Sequence, residues 1–421
     1  MSYSEQMLAA LEQGDMAKAR DAFTQVLAHD DDETRYNLAE ELYALGFTGQ
    51  AQRLYEELLG KYPDQDDIKT VLADIAVSNG DADKALKYLA DIGPDSDAYG
   101  QALMTAADVY QTQGLYEVSE QKLLTAAQAF PDEPVITFAL GELYFAWGHD
   151  AQAASAYSQL LAADETEFAG VNVQARYASS LANLGQYEEA IAAFEAVGDS
   201  KLAPSEAFQL GGLYLQTGAS ERAVAVLKQV IDRDASFASA YLPLAQAQEA
   251  QGDQAAALAT VQDGLQVDDT NPTLFTLGAN LALKLEQPEV ARRYLQKALA
   301  IDPENQTVML EWSNFLLATH DDEANIAFLA AIDQSGDIDP QIYWNLAKSH
   351  DRLDHVKAAR ENYLLAFRAF QNSPDFLHDI IDFFQSTGST AELKAALTRY
   401  LALVPSDSDM QDRLDELNRE N

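Results

Sequence analysis

The stretch LGELYFAWGHDAQAASAYSQLL, residues 140–161, contains a Leu-Gly pair, a Tyr three residues later, a lone Gly, and an Ala followed by a Tyr. The same order recurs along the chain at intervals of 32 to 37 residues, most often 34. Self-similarity at a fixed period of this length is typical of repeat proteins. We therefore interpret the stretch as one copy of a repeated segment and not as a local site for chemistry. The lone glycines that mark successive copies are Gly14, Gly46, Gly80, Gly114, Gly148, Gly185, Gly218, Gly252 and Gly388.

Three further residues complete the series of markers where no glycine is present: Glu286, Thr319 and Asp354. The full series predicts about twelve repeats. Five residues after each marker lies a residue that is usually alanine, and Ala324 takes that place after Thr319. A small side chain at a constant place allows two helices to cross closely. The register of the repeat around Trp312 can be set in two ways.

The apolar residues before each marker predict a helix. If the marker is counted as position 15, apolar residues fall at positions 4, 7, 8 and 11, which share one helical face. A second helix follows the marker and ends at a proline in several repeats. Such a helix pair is too small to bury its own apolar face and is stable only in a stack. We predict an all-α solenoid.

The quoted stretch resembles the tetratricopeptide repeat, a 34-residue helix-turn-helix with the order Leu-Gly-x-x-Tyr, Gly, Ala and a large residue. Over the whole chain, the plan is also similar to uncharacterised cytoplasmic tetratricopeptide repeat proteins of low-GC Gram-positive bacteria. The resemblance implies a right-handed superhelix whose first helices line a concave groove. The residues that carry the resemblance are Leu140, Gly141, Tyr144, Gly148, Ala153 and Tyr157.

The chain is expected to form one continuous solenoid with three parts. Residues 1–170 are predicted to form about five acidic repeats, residues 171–405 about seven more, and residues 406–421 a C-terminal capping helix with an apolar stripe at Met410 and Leu414. Three extra residues lengthen the repeat after Gly148, so we expect an irregularity near 164–173.

The composition restricts the classes of partner. The chain of 421 residues has a formal net charge of −41, and residues 1–170 contain 31 acidic and 9 basic residues. A surface this negative repels phosphate backbones and anionic lipids, so nucleic acid and membranes are poor partners. There is no cysteine, no signal-peptide pattern at the start and no long apolar segment, which is typical of a soluble cytoplasmic protein.

Motifs for catalysis or metal binding are not found in the sequence. It contains no phosphate-binding loop, no nucleophile elbow and no cysteine nucleophile. Among the histidines the closest pair, His350 and His355, is expected to point to different faces of a helix. His320, beside acidic neighbours, is interpreted as part of a solvated turn rather than as a metal ligand. We predict no enzymatic activity, no metal and no cofactor.

Candidate binding residues lie on the face opposite the apolar stripe, at positions 2, 5, 9 and 12. By the resemblance, this face of the first helices forms the floor of the groove. Position 9 of four successive repeats is a carboxylate, which predicts a partner segment with basic residues; the alternative is an ordinary solvated helix face. The four residues, 34 apart, are Glu40, Asp74, Asp108 and Glu142.

Aromatic and apolar residues lie at positions 5 and 12 of the same face. They are interpreted either as anchor pockets for a ligand or as packing against the first helix of the next repeat. These residues are Tyr36, Tyr43, Phe138, Phe145 and Phe208.

The predicted function is non-catalytic binding of a protein or peptide with basic and apolar residues, as a scaffold or adaptor. The alternative is a regulatory sensor whose superhelix changes curvature when a peptide binds. Family members that grip carboxylate-terminated chaperone tails resemble one another in a basic clamp, with Lys at position 5 and Asn at position 9. That clamp is absent here, where position 9 is acidic and position 5 is Tyr36, Thr70, Met104 or Phe138.

Overall fold

The computed structural model describes residues 2–198, 201–331 and 339–419, and it is predominantly α-helical. Successive helices pack against one another in sequence order, so the predicted all-α helical-repeat fold is confirmed. The chain divides into two compact units, unit 1 (Met1–Leu213) and unit 2 (Tyr214–Asn421). The number of repeats and the hand of the superhelix stay predictions.

Unit 1 consists of helices that alternate as the first and second members of a pair, with one small hairpin. The helix that contains the boundary between the units is α13. The elements are α1 (Tyr3–Glu12), α2 (Met16–His29), α3 (Asp32–Ala44), α4 (Thr48–Lys61), α5 (Asp66–Ser78), α6 (Ala82–Ala90), α7 (Tyr99–Thr112), α8 (Tyr116–Ala129), α9 (Pro134–Trp147), α10 (Asp150–Ala162), β1 (Glu167–Phe168), β2 (Val171–Asn172), α11 (Val173–Asn183), α12 (Tyr187–Val197) and α13 (Pro204–Gln216).

Unit 2 continues the same alternation and ends in a further helix. A single turn of 3₁₀-helix, Ala238–Ala240, leads into α15. The helices are α14 (Ser220–Arg233), α15 (Tyr241–Ala250), α16 (Gln254–Val267), α17 (Pro272–Lys284), α18 (Pro288–Ile301), α19 (Gln306–Ala318), α20 (Asp322–Ala330), α21 (Pro340–Arg352), α22 (Val356–Phe370), α23 (Pro374–Ser386), α24 (Thr390–Leu403) and α25 (Ser408–Arg419).

The pair α9/α10 shows why the repeated residues recur. Helix α9 ends at Gly148, which adopts the left-handed conformation with φ 77°, and the chain then enters α10. Tyr157 of α10 is fully buried, and a Cβ atom added to Gly141 would lie 2.7 Å from its ring. Ala153 is also fully buried. Gly141 and Tyr157, which are among the residues that carry the family resemblance, are therefore in close contact between the two helices.

The marker residues that are not glycine also adopt the left-handed conformation, but one of them lies one residue later than predicted. Glu286 (φ 58°) and Asp354 (φ 56°) do so as the repeat spacing requires. In the repeat around Trp312 the left-handed residue is His320 (φ 57°), whereas Thr319 is the C-cap of α19. The prediction of Thr319 as the marker is therefore wrong by one residue.

The corrected register places Asn325, not Ala324, at the close crossing of α20. Asn325 is fully buried, and its Nδ2 donates a hydrogen bond to Ser349 Oγ at 2.9 Å. This bond satisfies the amide nitrogen, whereas the buried Oδ1 has no hydrogen-bond partner among the described residues. Ala324 was predicted from side-chain size alone, which does not reveal this hydrogen bond.

Cations from one helix bind carbonyl groups at the end of an earlier helix. In unit 1 the nearly buried Arg35 donates from Nε to the Val26 carbonyl at 3.2 Å and from Nη2 to the Leu27 carbonyl at 2.8 Å. In unit 2 Arg352 donates from Nη1 to the Leu317 carbonyl at 2.8 Å. The last carbonyls of a helix lack partners within it, and a cation there also interacts favourably with the helix dipole.

A two-stranded hairpin occupies the stretch in which the repeat is three residues longer. Strands β1 and β2 pair antiparallel, with Glu167 opposite Asn172 and Phe168 opposite Val171. The two connecting residues, Ala169 and Gly170, both have positive φ, as a tight type I′ turn requires. The hairpin lies within unit 1, between α10 and α11.

The last helix, α25, covers the end of unit 2. Met410 is buried in the core that α22, α23 and α24 form, and Leu414 and Leu417 pack against that core. The rest of α25 is mostly polar and faces water. A polar outer face on a terminal helix is what a solenoid needs to remain soluble.

The Gly264→Ala variant tests the close helix crossings. A Cβ at Gly264 in α16 would lie 2.7 Å from Tyr241 Cβ and 2.9 Å from Leu274 Cδ2. We expect the variant to lower the free energy of unfolding by about 1–3 kcal/mol, because the neighbours must move. Urea unfolding followed by circular dichroism measures the effect.

The matched control is Gly212→Ala in α13, where a Cβ meets no atom within 4 Å. This variant is expected to be neutral or to stabilise by about 0.4–1 kcal/mol, since alanine restricts the unfolded chain. Equal destabilisation by the two variants would show that the crossing at Gly264 is not closely packed.

Candidate functional site

The four predicted carboxylates lie on the first helices of successive repeats in unit 1. Glu40 is on α3, Asp74 on α5, Asp108 on α7 and Glu142 on α9. The first helices α5 and α7, and α7 and α9, pack side by side. Because the repeats have the same length, each carboxylate occupies the same place on its helix. We call the surface defined by these four residues the acidic face.

Three of the four carboxylates have no basic counter-ion. Among the residues that the structure describes, no Lys or Arg nitrogen lies within 4.0 Å of the Glu40, Asp74 or Asp108 carboxylate. Asp74 is half-buried and Asp108 remains accessible to water. The pKa of both carboxyl groups is raised because the surrounding protein displaces part of their solvent. A cation placed against them would offset that cost.

The fourth carboxylate is bound within the chain. The Tyr157 hydroxyl donates a hydrogen bond to Glu142 Oε1 at 2.6 Å, and Arg176 Nε lies 3.0 Å from the same oxygen. The Arg176 guanidinium also lies over the Phe145 ring, 5.1 Å from its centroid. Glu142 is therefore neutralised by α11, and the open part of the acidic face consists of Glu40, Asp74 and Asp108.

The sequence interpretation missed Arg176, although a signal was present. Arg176 follows Glu142 by 34 residues, the same interval that separates the four carboxylates. The three inserted residues after Gly148 shift the repeat numbering, so Arg176 no longer occupies position 9. The constant interval of 34 residues therefore identifies Arg176, whereas its position within the repeat does not.

Two tyrosines lie beside the open carboxylates. The pKa of the Tyr36 hydroxyl is raised by burial and then by the neighbouring Glu40 carboxylate. The pKa of Tyr43 is likewise raised by burial and then by Asp74. Tyr36 also packs edge-on against Tyr55, with ring centroids 5.9 Å apart. Both tyrosines are half-buried, so each contributes to the core and to the acidic face.

The phenylalanines at the other end of unit 1 make contacts within the chain. Phe138 stacks on Phe168 of the hairpin, with ring centroids 4.9 Å apart and an interplanar angle of 20°. Phe145 packs under Arg176. Phe208, on α13, is half-buried. For Phe138 and Phe145 these contacts favour the packing alternative.

A second series at the 34-residue interval occurs on the first helices of unit 2. Its members are three amides followed by a lysine. The sequence prediction did not include them because three of the four side chains are uncharged. The Asn280 side chain is hydrogen-bonded to Glu311, whose carboxyl pKa is raised by burial. Asn314 Oδ1 accepts a hydrogen bond from Asn345 Nδ2 at 2.9 Å. The series is Gln246, Asn280, Asn314 and Lys348.

The cations near this amide series are paired internally. Lys348 Nζ lies 2.9 Å from Asp379, which also accepts a hydrogen bond from Trp344 Nε1 at 2.9 Å. Arg352 lies 3.4 Å from Asp322, which is buried. Lys348 and Arg352 are thus paired within the described residues of unit 2.

The expectation for His350 and His355 is wrong. Their Nδ1 atoms lie 3.3 Å apart, because the chain turns at Asp354 and brings the start of α22 back to the end of α21. The pKa of His350 is lowered by burial and then by His355. In the described part of the chain, however, no group of three or more His, Cys, Asp or Glu residues is arranged to hold a metal ion. Within the same residues, none of the helices has both the length and the apolar character needed to cross a membrane.

Helix pairs that repeat every 34 residues, with their first helices side by side, define a tetratricopeptide repeat protein. Family models for the tetratricopeptide repeat match 171–197, 208–272 and 272–305. The model described as YpiA-like, tetratricopeptide repeats matches 111–165, and the one described as YpiA-like, C-terminal tetratricopeptide repeats matches 340–407. Residues 5–114 match the model described as tetratricopeptide repeat protein 21 ARM repeat.

The TPR repeat-containing protein YpiA of Bacillus subtilis (strain 168) is 31% identical over 423 residues, which cover 99% of each chain. The chain therefore belongs to the YpiA-like family of tetratricopeptide repeat proteins. The predicted resemblance to proteins of low-GC Gram-positive bacteria is confirmed by this match.

Solved structures that are similar to this chain include YrrB and the APC/C hetero-tetramer Cut9–Hcn1. Cut9–Hcn1 has a TM-score of 0.42 at 13% identity and covers 98% of this chain and 95% of its own. YrrB, a tetratricopeptide repeat protein with an unusual peptide-binding site, has a TM-score of 0.38 at 19% identity over 44% of this chain and 95% of its own.

The pH dependence of an Asp108→Asn variant tests the environment of the acidic face. The pKa of Asp108 is raised above its ordinary value of 3.8, so the native state binds its proton more tightly than the unfolded state. Stability is therefore lost as the pH rises through the native pKa. We expect Asp108→Asn to raise the melting temperature at about pH 7 and to lose this gain at about pH 4.

The control is Glu117→Gln on α8, an exposed carboxylate whose removal changes the net charge equally. A gain for Asp108→Asn that equals the control, or that does not depend on pH, would contradict a local desolvation effect.

A double-mutant cycle tests the packing role of Phe138. We expect Phe138→Ala and Phe168→Ala each to destabilise unit 1, and their effects to be coupled by about 0.5–1.5 kcal/mol, because each ring loses its partner. Urea unfolding of the two single variants and of the double variant gives the coupling. Strict additivity would show that Phe138 and Phe168 do not stabilise each other.

Proposed function

We propose that this protein is a non-catalytic scaffold that binds a protein segment bearing regularly spaced Lys or Arg residues on the acidic face. The tetratricopeptide fold supports a role in protein interaction, because proteins built from these repeats are generally scaffolds without catalytic activity. The strongly negative chain, with its net charge of −41, makes nucleic acid and anionic membranes unfavourable partners.

The observation that carries the proposal is the run of Glu40, Asp74 and Asp108, for which the described residues provide no basic counter-ion. Surface carboxylates in most positions are solvated and contribute little, but Asp74 is half-buried, and the neighbouring protein raises the pKa of both Asp74 and the exposed Asp108. A cation from a partner would interact with them more strongly than with a fully hydrated carboxylate. The half-buried rings of Tyr36 and Tyr43 add apolar contact area beside the same carboxylates.

The spacing of the helices indicates the pattern of basic residues. Packed helices lie about 8–10 Å apart. An extended chain advances about 3.3 Å per residue, so every third residue reaches the next carboxylate. The Glu142–Arg176 pair limits the basic segment to three carboxylates, and Arg176 would repel a fourth cation. The partner segment is therefore short, with three Lys or Arg residues at intervals of three.

Peptide binding to the full chain tests this proposal. The probe is a labelled peptide with Lys at every third residue in a Gly/Ser background, and its counterpart carries Glu at the same positions. We expect the Lys peptide to bind and the Glu peptide not to bind at physiological salt. The triple variant Glu40→Gln, Asp74→Asn, Asp108→Asn is expected to weaken the Lys peptide at least about tenfold. Fluorescence anisotropy measures the dissociation constants.

The matched control is the triple variant Asp21→Asn, Asp83→Asn, Glu117→Gln. It removes the same charge from exposed positions on the second helices α2, α6 and α8. If the control weakens binding as much as the first triple variant, the attraction is a property of net charge and the acidic face is not the site. Absence of any preference for the Lys peptide would refute the proposal.

A further inference from the structure

An open groove lies on the second helices near the end of unit 2. Helices α22 and α24 form its two sides, and Ile380 and Phe384 of α23 form its floor. Its volume is about 590 Å³. We call it the second-helix groove. It is separate from the acidic face, which belongs to the first helices of unit 1.

Large apolar side chains are exposed at this groove. Leu364 of α22 and Leu403 of α24 line it and are 51% and 41% exposed. Phe367 also lines the groove and is half-buried. Single exposed leucines are common on protein surfaces, but a contiguous exposed apolar patch that lines a groove marks an interaction site.

The charge of the two helices is opposite to that of the chain. Helices α22 and α24 together carry five basic and two acidic residues, whereas the whole chain has 27 basic and 68 acidic residues. Arg360 and Arg368 lie four residues before and after Leu364, so they share its side of α22. Lys357 lies two turns before Leu364 on the same side.

The arginines at the border of the groove are held in position. Arg360 forms an ion pair with Glu392 across the groove, between α22 and α24. Arg399 donates from Nε to the Gln371 carbonyl at 2.6 Å and from Nη2 to Asn372 Oδ1 at 2.8 Å. Arg360 is thus neutralised by Glu392, which also lines the groove, and Arg399 is fixed at the end of α22.

We propose that the second-helix groove binds the apolar side of an amphipathic helix from a partner protein, and that this helix carries Asp or Glu on its flanks. Two neighbouring helices leave a trough into which a third helix packs with residues at i, i+3, i+4 and i+7. Leu364, Phe367 and Leu403 supply the apolar contacts. Arg368 and Lys357 select acidic flanks, which the rest of this negative chain would repel.

Binding of two designed helical peptides to the full chain tests this proposal. Both carry the same leucine stripe, one with Glu on the flanks and the other with Lys. We expect the Glu-flanked peptide to bind saturably in fluorescence anisotropy. The Leu364→Asp variant is expected to weaken that binding at least about tenfold, because it places a carboxylate in the apolar contact and beside the acidic flanks. Since Leu364 is half exposed, the variant should still fold, which circular dichroism verifies.

The matched control is Leu124→Asp on α8, a second helix of unit 1, where the leucine is 41% exposed. This variant should bind the Glu-flanked peptide as the unmodified protein does. The Lys-flanked peptide is expected to bind the acidic face. Its affinity for Leu364→Asp should therefore equal its affinity for the unmodified protein. This difference distinguishes binding at the second-helix groove from binding at the acidic face.

Three results would overturn the proposal. The first is no saturable binding of the Glu-flanked peptide, and the second is binding that Leu364→Asp and Leu124→Asp weaken equally. The third is self-association in analytical ultracentrifugation that Leu364→Asp abolishes, since the groove would then be covered by a second copy of this chain.

Discussion

The close crossing of the two helices within a repeat is the contact on which the rest of the structure depends. In α9 and α10 it consists of the Tyr157 ring against the backbone of Gly141, with the fully buried Ala153 one turn earlier on α10. No larger residue fits at Gly141 without displacement of the ring. Small residues take the equivalent place in earlier repeats, for example Ala73 and Ala107, so the helices of each pair cross at a corresponding point. Residues outside the contact are free to vary, and they carry whatever is specific to this protein.

The fold could be predicted from the sequence because it depends on period and side-chain size, which a single sequence displays directly. The predictions were wrong at positions where side-chain hydrogen bonds or turns determine the contacts. Asn325 occupies a crossing where a small apolar residue was expected, and its Nδ2 donates a hydrogen bond to Ser349. The five-residue spacing of His350 and His355 predicted that their side chains lie on different faces of a helix. The left-handed turn between α21 and α22 instead brings the two rings together. Contacts of this kind depend on atoms that the repeat pattern does not specify.

The predicted carboxylates were found at equivalent places, but the sequence could not reveal which of them were already paired. Glu142 is bound by Tyr157 and Arg176, whereas Glu40, Asp74 and Asp108 have no basic counter-ion in the part of the chain that is described. The groove between α22 and α24 was not anticipated at all. Its apolar residues follow the usual pattern of a second helix, and only their exposure and the basic residues around them distinguish it.

The arginines that bind carbonyls across repeats have a consequence for how such a chain opens. Arg35 on α3 holds the end of α2, and Arg352 on α21 holds the end of α19. If the later helix detaches, a guanidinium and the carbonyls it satisfied lose their partners together, so that opening costs more than the loss of apolar contact alone. We expect the two repeats that Arg35 joins, and the two that Arg352 joins, to exchange with solvent together rather than one at a time. The cooperativity of a one-dimensional stack is in this way increased by a few polar contacts, placed where one repeat meets the next.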